Sequence, residues 1–244
     1  MGGVPRGSFQ GAGTHRELAM IRYYNDIEQG GEEWLALRRG ILTASEMRLI
    51  MTPTMRPASN DKERAHLFEL LGQRITGYTE PHYISDDMLR GHEDEIEARI
   101  RYAEHFAPVT ACGFVTNDDH GVVIGYSPDG LVGDDGLIEC KSRRQKYQIE
   151  TILADEVPAE YLLQCQTGLL VTGRKWLDFV SYCGGLPMVV KRVWPCPEIQ
   201  QAIIAAASAF EQRLAAAQAR YAEWLARQPV IIHTERTIEQ EIMI

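Results

Sequence analysis

Apolar and polar positions alternate with a helical period in the first third and the last fifth of the chain, and with a strand-like period through much of its middle. From Glu32 to Met51 the apolar positions Trp34, Leu35, Leu37, Ile41, Leu42 and Met47 are interrupted at Gly40 and at Thr43-Ala44-Ser45-Glu46. This predicts a short helix through Leu37, a break, and a second helix capped by Thr43 or Ser45 and running to about Met51. A Ser or Thr ahead of an apolar run accepts from the free N–H groups of a first helical turn. Pro53 and Pro57 mark a loop over Thr52 to Asn60. Leu67, Leu70, Leu71 and Ile75 then recur at helical spacing from about Asp61 to Thr76, and Ile96, Ile100, Ala103 and Phe106 do so on a segment from about Asp86 to Phe106. Runs with strand character follow at Gly113 to Thr116, Val122 to Tyr126 and Leu137 to Ser142. Helices are expected at about Gln148 to Ala154 and Glu160 to Val171, and strands at Trp176 to Tyr182 and Met188 to Val193. The Ala-rich stretch from Pro197 to Gln228 predicts a long helix with Pro at its first position. Strands flanked by helices on both sides predict an α/β or α+β domain with a mixed central sheet.

Composition changes this picture at the N-terminus. Val4-Pro5-Arg6-Gly7-Ser8 reads as the remnant of a thrombin-type cleavage site, so residues 1–19 are expected to be a vector-derived tag and Met20 the native start. Residues 20–244 then form a single domain with a long C-terminal helix. At 45% hydrophobic and 24% charged the chain can bury a sizeable core, and it has no run near the roughly 20 apolar residues that a membrane span needs. Five cysteines without a C-x-x-C pair give no zinc ribbon or iron–sulfur pattern. Their odd number, with no secretory signal, fits reduced thiols in a cytoplasm. The formal charge of -9 counts against a nucleic-acid binder, but carboxylates gathered to hold cations add negative charge without governing the local field where DNA docks.

Candidate chemistry concentrates at Tyr126-Ser127-Pro128-Asp129-Gly130 and at Glu139-Cys140-Lys141. Pro-Asp-Gly is a turn sequence, since Pro presets φ and Gly tolerates positive φ. Two apart on a strand, Glu139 and Lys141 share a face and are expected to project toward that turn, while Cys140 is expected to be a small buried apolar residue. Two carboxylates and a lysine form the minimum set for metal-assisted attack of water on a phosphodiester. Acids at Glu93, Asp94, Glu95 and Glu97 add a possible fourth group, although acids in a first helical turn also complement the helix dipole. His92-Glu93 does not open an H-E-x-x-H zinc site, because Ile96 holds the fifth position, and Asp129 to Asp135 is out of register for an EF-hand.

Four blocks in order resemble the lambda exonuclease and YqaJ-type recombinase group of the PD-(D/E)xK nuclease superfamily. They are Trp34 to Glu46, Gly91-His92-Glu93-Asp94-Glu95, Ser127-Pro128-Asp129-Gly130 with Glu139-Cys140-Lys141, and Tyr161-Leu162-Leu163-Gln164-Cys165-Gln166. The resemblance implies a restriction-endonuclease-like core in which Asp129, Glu139 and the main-chain carbonyl of Cys140 bind Mg²⁺ or Mn²⁺, two ions per site. Glu95 would help to organise the second ion, directly or through water, and Lys141 would stand against the attacking water and the phosphate. Glu95 is chosen among its neighbours by the Gly91 spacing. Gln164 matches a site glutamine, with Gln166 as the alternative; Gly168 stands where related nucleases often carry a tyrosine. Arg38 and Ser45 match residues that hold a 5′-phosphate, with Arg39 competing and a plain cap role open for Ser45. Arg143, Arg144 and Lys146 form a basic cluster that suits backbone phosphates or a solvated loop.

The activity so implied is 5′→3′ digestion of one strand of linear double-stranded DNA to mononucleotides, leaving 3′ single-stranded tails. The implied setting is phage-type recombination in a bacterial cytoplasm, with a ring-shaped homotrimer threaded by DNA and a single-strand annealing protein as partner. A PD-(D/E)xK endonuclease or junction resolvase, and a non-catalytic DNA-binding subunit, are the alternatives.

Overall fold

The computed structural model describes residues 20–52, 54–81 and 86–236; the expected tag over residues 1–19 and Pro53 of the expected loop lie outside the described residues. In chain order the elements are β1 (Ile21–Tyr24), α1 (Glu32–Arg38), β2 (Leu42–Thr43), a 3₁₀ turn (Ala44–Glu46) running into α2 (Met47–Ile50), α3 (Asp61–Thr76) and α4 (Asp86–His105). Then come β3 (Phe114–Asn117), β4 (Ile124–Tyr126), β5 (Gly130–Val132), β6 (Gly136–Ser142), α5 (Gln145–Ala154), α6 (Ala159–Thr172), β7 (Trp176–Tyr182), β8 (Val189–Val193) and α7 (Pro197–Arg227).

The fold is mixed α+β, as the patterning predicts, but the expected central sheet is two four-stranded sheets. One has the order β1-β3-β4-β2 and the other β5-β6-β7-β8. The parallel pairs are β2/β4 and β6/β7; the rest are antiparallel. Helices α5 and α6 form the crossover that a parallel β6/β7 pair requires. The Pro-Asp-Gly turn does not join two paired strands: β4 does not pair with β6, and β6 instead pairs with the short β5 through the Gly133-to-Asp135 turn. Strands of two to four residues such as β2, β5 and β1 carry too few alternations to stand out from the sequence.

Strand β6 is buried on both faces. Leu137 packs into the larger core with Leu169, Phe179 and Phe210, whereas Ile138 and Cys140 pack into a smaller one with Ala98 and Tyr102 of α4 and Val180 of β7. The α4 expectation changes accordingly. Ile96, Ile100 and Phe106 are 38%, 45% and 58% exposed, and the buried face is built on Ala98 and Tyr102 instead. Ala98 lets the helix approach the sheet closely, and the Tyr102 hydroxyl donates to the buried Asp178 at 2.8 Å. On α3, Leu67, Leu70 and Leu71 are buried as expected, while Ile75 is exposed. Ion pairs Glu63–Arg213 and Arg74–Glu211 join α3 to α7. Thr43, rather than Ser45, is the cap: the Glu46 carboxylate accepts from its N–H at 2.8 Å and its hydroxyl at 2.7 Å. Among the described residues no helix is long and apolar enough to cross a membrane.

Candidate active site

Asp129 lies where the chain leaves β4 in the first sheet and enters β5 in the second. Gly130 follows because a Cβ there would sit 2.1 Å from Val109 Cγ1. One Asp129 oxygen accepts from the Cys140 backbone N–H at 2.6 Å, which ties the joint between the sheets to β6. Glu139 and Lys141 share one face of that strand, and the Lys141 ammonium lies 2.7 Å from Glu139 Oε1. It also reaches Glu95 Oε1 at 3.5 Å from α4. The four groups of the sequence reading therefore meet.

The structure separates Glu95 from its neighbours. Asp94 accepts from the Ser142 hydroxyl at 2.5 Å and Glu97 pairs with Arg101 at 2.7 Å, so of the helix acids it is Glu95 that faces Lys141. It separates the glutamines as well. Gln164 Nε2 donates to Glu139 Oε1 at 2.5 Å, whereas Gln166 spans the Trp194 carbonyl and the Cys196 N–H. The other Glu139 oxygen accepts from the Tyr126 hydroxyl at 2.7 Å. Tyr126 was not singled out by sequence, although it begins the motif that holds Asp129. Burial, with Glu139 and Asp129 nearby, pushes its phenol well above the usual tyrosine value, so it stays a donor.

Charge is concentrated here. Burial, and then repulsion from Glu139 and Glu95, raises the Asp129 carboxyl well above the usual range, against the pull of Lys141. Burial also raises Glu95, which Lys141 lowers and Glu139 raises. Burial disfavours the Lys141 ammonium, yet Glu139, Asp129 and Glu95 outweigh it and hold that pKa well above the ordinary lysine value. Three carboxylates around one ammonium leave negative charge that a divalent cation would offset, and carboxylate oxygens are the donors Mg²⁺ and Mn²⁺ prefer. Among the described residues no three His, Cys, Asp or Glu side chains form a ready-made metal cage. The expected set puts Asp129, Glu139 and the Cys140 carbonyl on one ion and Glu95, directly or through water, on a second, all of them the oxygen donors such ions take, so the residues fit.

A second cluster lies beside the first. The Arg38 guanidinium stacks 4.3 Å from the Trp34 ring centroid and 5.8 Å from that of Phe114, and donates to Ser127 Oγ at 3.1 Å and Thr43 Oγ1 at 3.4 Å. Trp34 Nε1 donates to the same Ser127 hydroxyl at 2.9 Å. Burial lowers the Arg38 pKa, opposed by Glu46, and among the described residues no carboxylate forms an ion pair with it. Ser45 Oγ is 3.4 Å from Thr43 Oγ1 and lines a cavity of ≈ 260 Å³ with Arg48, Lys141, Tyr161 and Gln164. On the other flank Gln29, His92, Glu95, Arg99 and Asp129 line a cavity of ≈ 340 Å³. Lys141 and Gln164 thus line one opening, and Glu95 and Asp129 the other.

Arg39 does not join Arg38; its Nε is buried without a hydrogen-bond partner among the described residues. The basic cluster is divided as well. Arg143 turns inward onto Glu160 at 2.5 Å and the Tyr161 hydroxyl at 2.7 Å, while Lys146 lies over the Tyr147 ring. Trp34, Thr43, Ser127 and Tyr126 are the site neighbours that spacing did not assign. Trp34, Thr43 and Ser127 sit inside the motif blocks and Tyr126 immediately before one, and their roles depend on contacts across the fold.

Residues 33–175 match the YqaJ-like viral recombinase domain. An alkaline exonuclease from Laribacter hongkongensis, LHK-Exo, is 37% identical, with a TM-score of 0.70 over 81% of this chain and 99% of that one. The same exonuclease in complex with dAMP gives 0.71 at the same identity and coverage. A phage-related exonuclease from Haemophilus somnus 129PT, 13% identical, has a TM-score of 0.50 over 72% of this chain and 95% of that one, a likeness of fold alone. No curated protein matches the chain.

Proposed function

The chain belongs to the YqaJ-like viral recombinase family, and from that premise and the site geometry we propose that it is a metal-dependent exonuclease. It digests one strand of linear double-stranded DNA from the 5′ end to mononucleotides, leaving 3′ single-stranded tails for recombination by strand annealing. The observation that carries this reading is the meeting of Asp129, Glu139, Lys141, Glu95 and Gln164 within reach of one another, beside a half-buried Arg38 that has no carboxylate ion pair among the described residues. The 37% identical alkaline exonuclease, seen with a nucleoside monophosphate, supports a mononucleotide product.

Asp129, Glu139 and the Cys140 carbonyl would hold one divalent ion and Glu95, directly or through water, would help to organise a second; such ions would supply Lewis acidity toward the phosphate and lower the pKa of a bound water. The chain's own groups do the rest. Gln164 and Tyr126 hold the Glu139 carboxylate. Lys141, kept protonated by its carboxylates, is placed to donate to the attacking water and to non-bridging oxygens whose charge grows in the transition state. Arg38, hydrogen-bonded to Ser127 and Thr43, takes the terminal 5′-phosphate together with Ser45, a planar guanidinium being a bidentate donor to it. The partners of this reading are duplex DNA ends, two further copies in a ring-shaped trimer, and a single-strand annealing protein, in the cytoplasm of a phage-bearing bacterium.

The test is a time course with Mg²⁺ on linear duplexes labelled at one 5′ or one 3′ end, beside a covalently closed circle. Early release of labelled mononucleotide from the 5′ end with an intact circle is expected. In the same assay Lys141→Ala should be at least about a hundredfold slower while still binding DNA, because it removes only transition-state stabilisation. Cutting of the circle would replace this reading with an endonuclease, and near-normal turnover by Lys141→Ala would remove the proposed centre.

A further inference from the structure

We propose that Tyr126 is a positioning residue for the cation site, delivering its hydroxyl to Glu139 through a gap that Gly168 leaves in helix α6. Two observations carry this. The first is the hydrogen bond: the phenol donates to Glu139 Oε2 at 2.7 Å, while Gln164 and Lys141 occupy Oε1 at 2.5 and 2.7 Å. Both Glu139 oxygens are therefore held, and the plane of the carboxylate is fixed. A phenylalanine would fill the same core volume, so packing does not explain the hydroxyl.

The second observation is steric and lies on a different element. Gln164 and Gly168 are four apart on α6 and share its face. Gln164 reaches Glu139 from one turn, and at the next turn the Tyr126 ring lies where a side chain would begin. A Cβ on Gly168 would sit 2.8 Å from Tyr126 Cζ and 2.9 Å from Cε1, both closer than real contacts allow. Helix α6 and strand β4 thus grip the two oxygens of one carboxylate, the helix with an amide and the strand with a phenol. Groups that hydrogen-bond a metal-ligating carboxylate set its direction and commonly change affinity or activity 10–100-fold. This inference rests on the cation-binding role of Glu139 proposed above.

The experiment measures Mn²⁺ binding to the full chain by electron paramagnetic resonance, alongside nuclease titrations in Mn²⁺ and thermal unfolding in EDTA. For Tyr126→Phe, Mn²⁺ affinity should fall about tenfold or more, turnover should recover at saturating Mn²⁺, and the cooperative unfolding transition should be kept. Gly168→Ala keeps every donor but displaces the ring, and should weaken Mn²⁺ binding in the same direction. Because both act through one hydroxyl, the double variant should lose less than the product of the two single effects. Wild-type Mn²⁺ affinity in Tyr126→Phe, or multiplicative losses in the double variant, would overturn the positioning role. A wild-type chain that binds no Mn²⁺ at all would instead overturn the metal reading, and the inference with it.

Discussion

Arg38 owes its character to what surrounds it. A half-buried guanidinium between Trp34 and Phe114, with two hydroxyls as hydrogen-bond partners and no carboxylate ion pair among the described residues, is partly desolvated without being neutralised. Burial alone lowers its pKa, so the site favours any anion that restores the missing charge. A terminal 5′-phosphate carries more negative charge than an internal phosphodiester, which makes Arg38 a discriminator of ends rather than a general DNA contact. Duplexes with a 5′-phosphate should accordingly be digested faster than those with a 5′-hydroxyl, and Arg38→Ala should erase the difference. Paired initial rates on the two substrates check this; equal rates in the wild type would take Arg38 out of the phosphate role. The neighbouring Arg39 shows why sequence alone left the choice open. One residue past α1's end, Arg39 leaves its Nε buried without a hydrogen-bond partner among the described residues, and no periodicity distinguishes the two.

At the scale of elements, the position of Glu95 depends on how firmly α4 is fixed against β6 and β7. Tyr102, two turns after Glu95, anchors that helix by donating to Asp178 on β7, and Arg192 of β8 completes the Asp178 carboxylate at 2.8 and 2.9 Å. Tyr102→Phe keeps the ring and its packing but leaves a buried charged acceptor short of one donor. A loss of about 1–3 kcal/mol is expected, read as a lower midpoint in urea with an unchanged slope. If Glu95 is placed by this anchor, the variant should also need more Mg²⁺ for half-maximal rate. A stability loss with unaltered Mg²⁺ dependence would mean that α4 is held independently of Tyr102. The sequence foretold α4 itself but not this face. Ile96 and Ile100, and Phe106 just past its end, are exposed, and the small Ala98 with the half-polar Tyr102 makes the contact, which an apolar count ranks last. The long β6 and β7, α6 and α7 were legible because each carries several periods of its pattern. The short β2 and β5, and with them the division into two sheets, were not. The site was legible where it follows a strand's alternation, at Glu139 and Lys141, and illegible where it depends on meetings across elements, as at Tyr126, Trp34 and Ser127.

For the whole molecule the unresolved tension is between a net charge of -9 and a DNA substrate. Neutralising phosphates with Lys and Arg gives most proteins their hold on duplex DNA, and that hold weakens steeply with salt. An acidic chain has little of it to spend along an entire duplex, although a local basic site can still seize an end. Sustained digestion by such a protein therefore calls for topological retention, and the ring-shaped trimer proposed above would supply it. Threaded DNA leaves by sliding off an end, a route that bulk charge and salt hardly affect. Starting and continuing should then respond differently to ionic strength. A jump in salt, together with excess unlabelled duplex, added after digestion has begun should block new starts while strands already engaged are degraded at their former rate. Light scattering on the same sample should give the mass of three chains. If the jump halts all digestion at once, or the active species scatters as a monomer, charge contacts at the site are the whole of the grip. The acidic balance would then predict a distributive enzyme that releases its substrate after a few nucleotides.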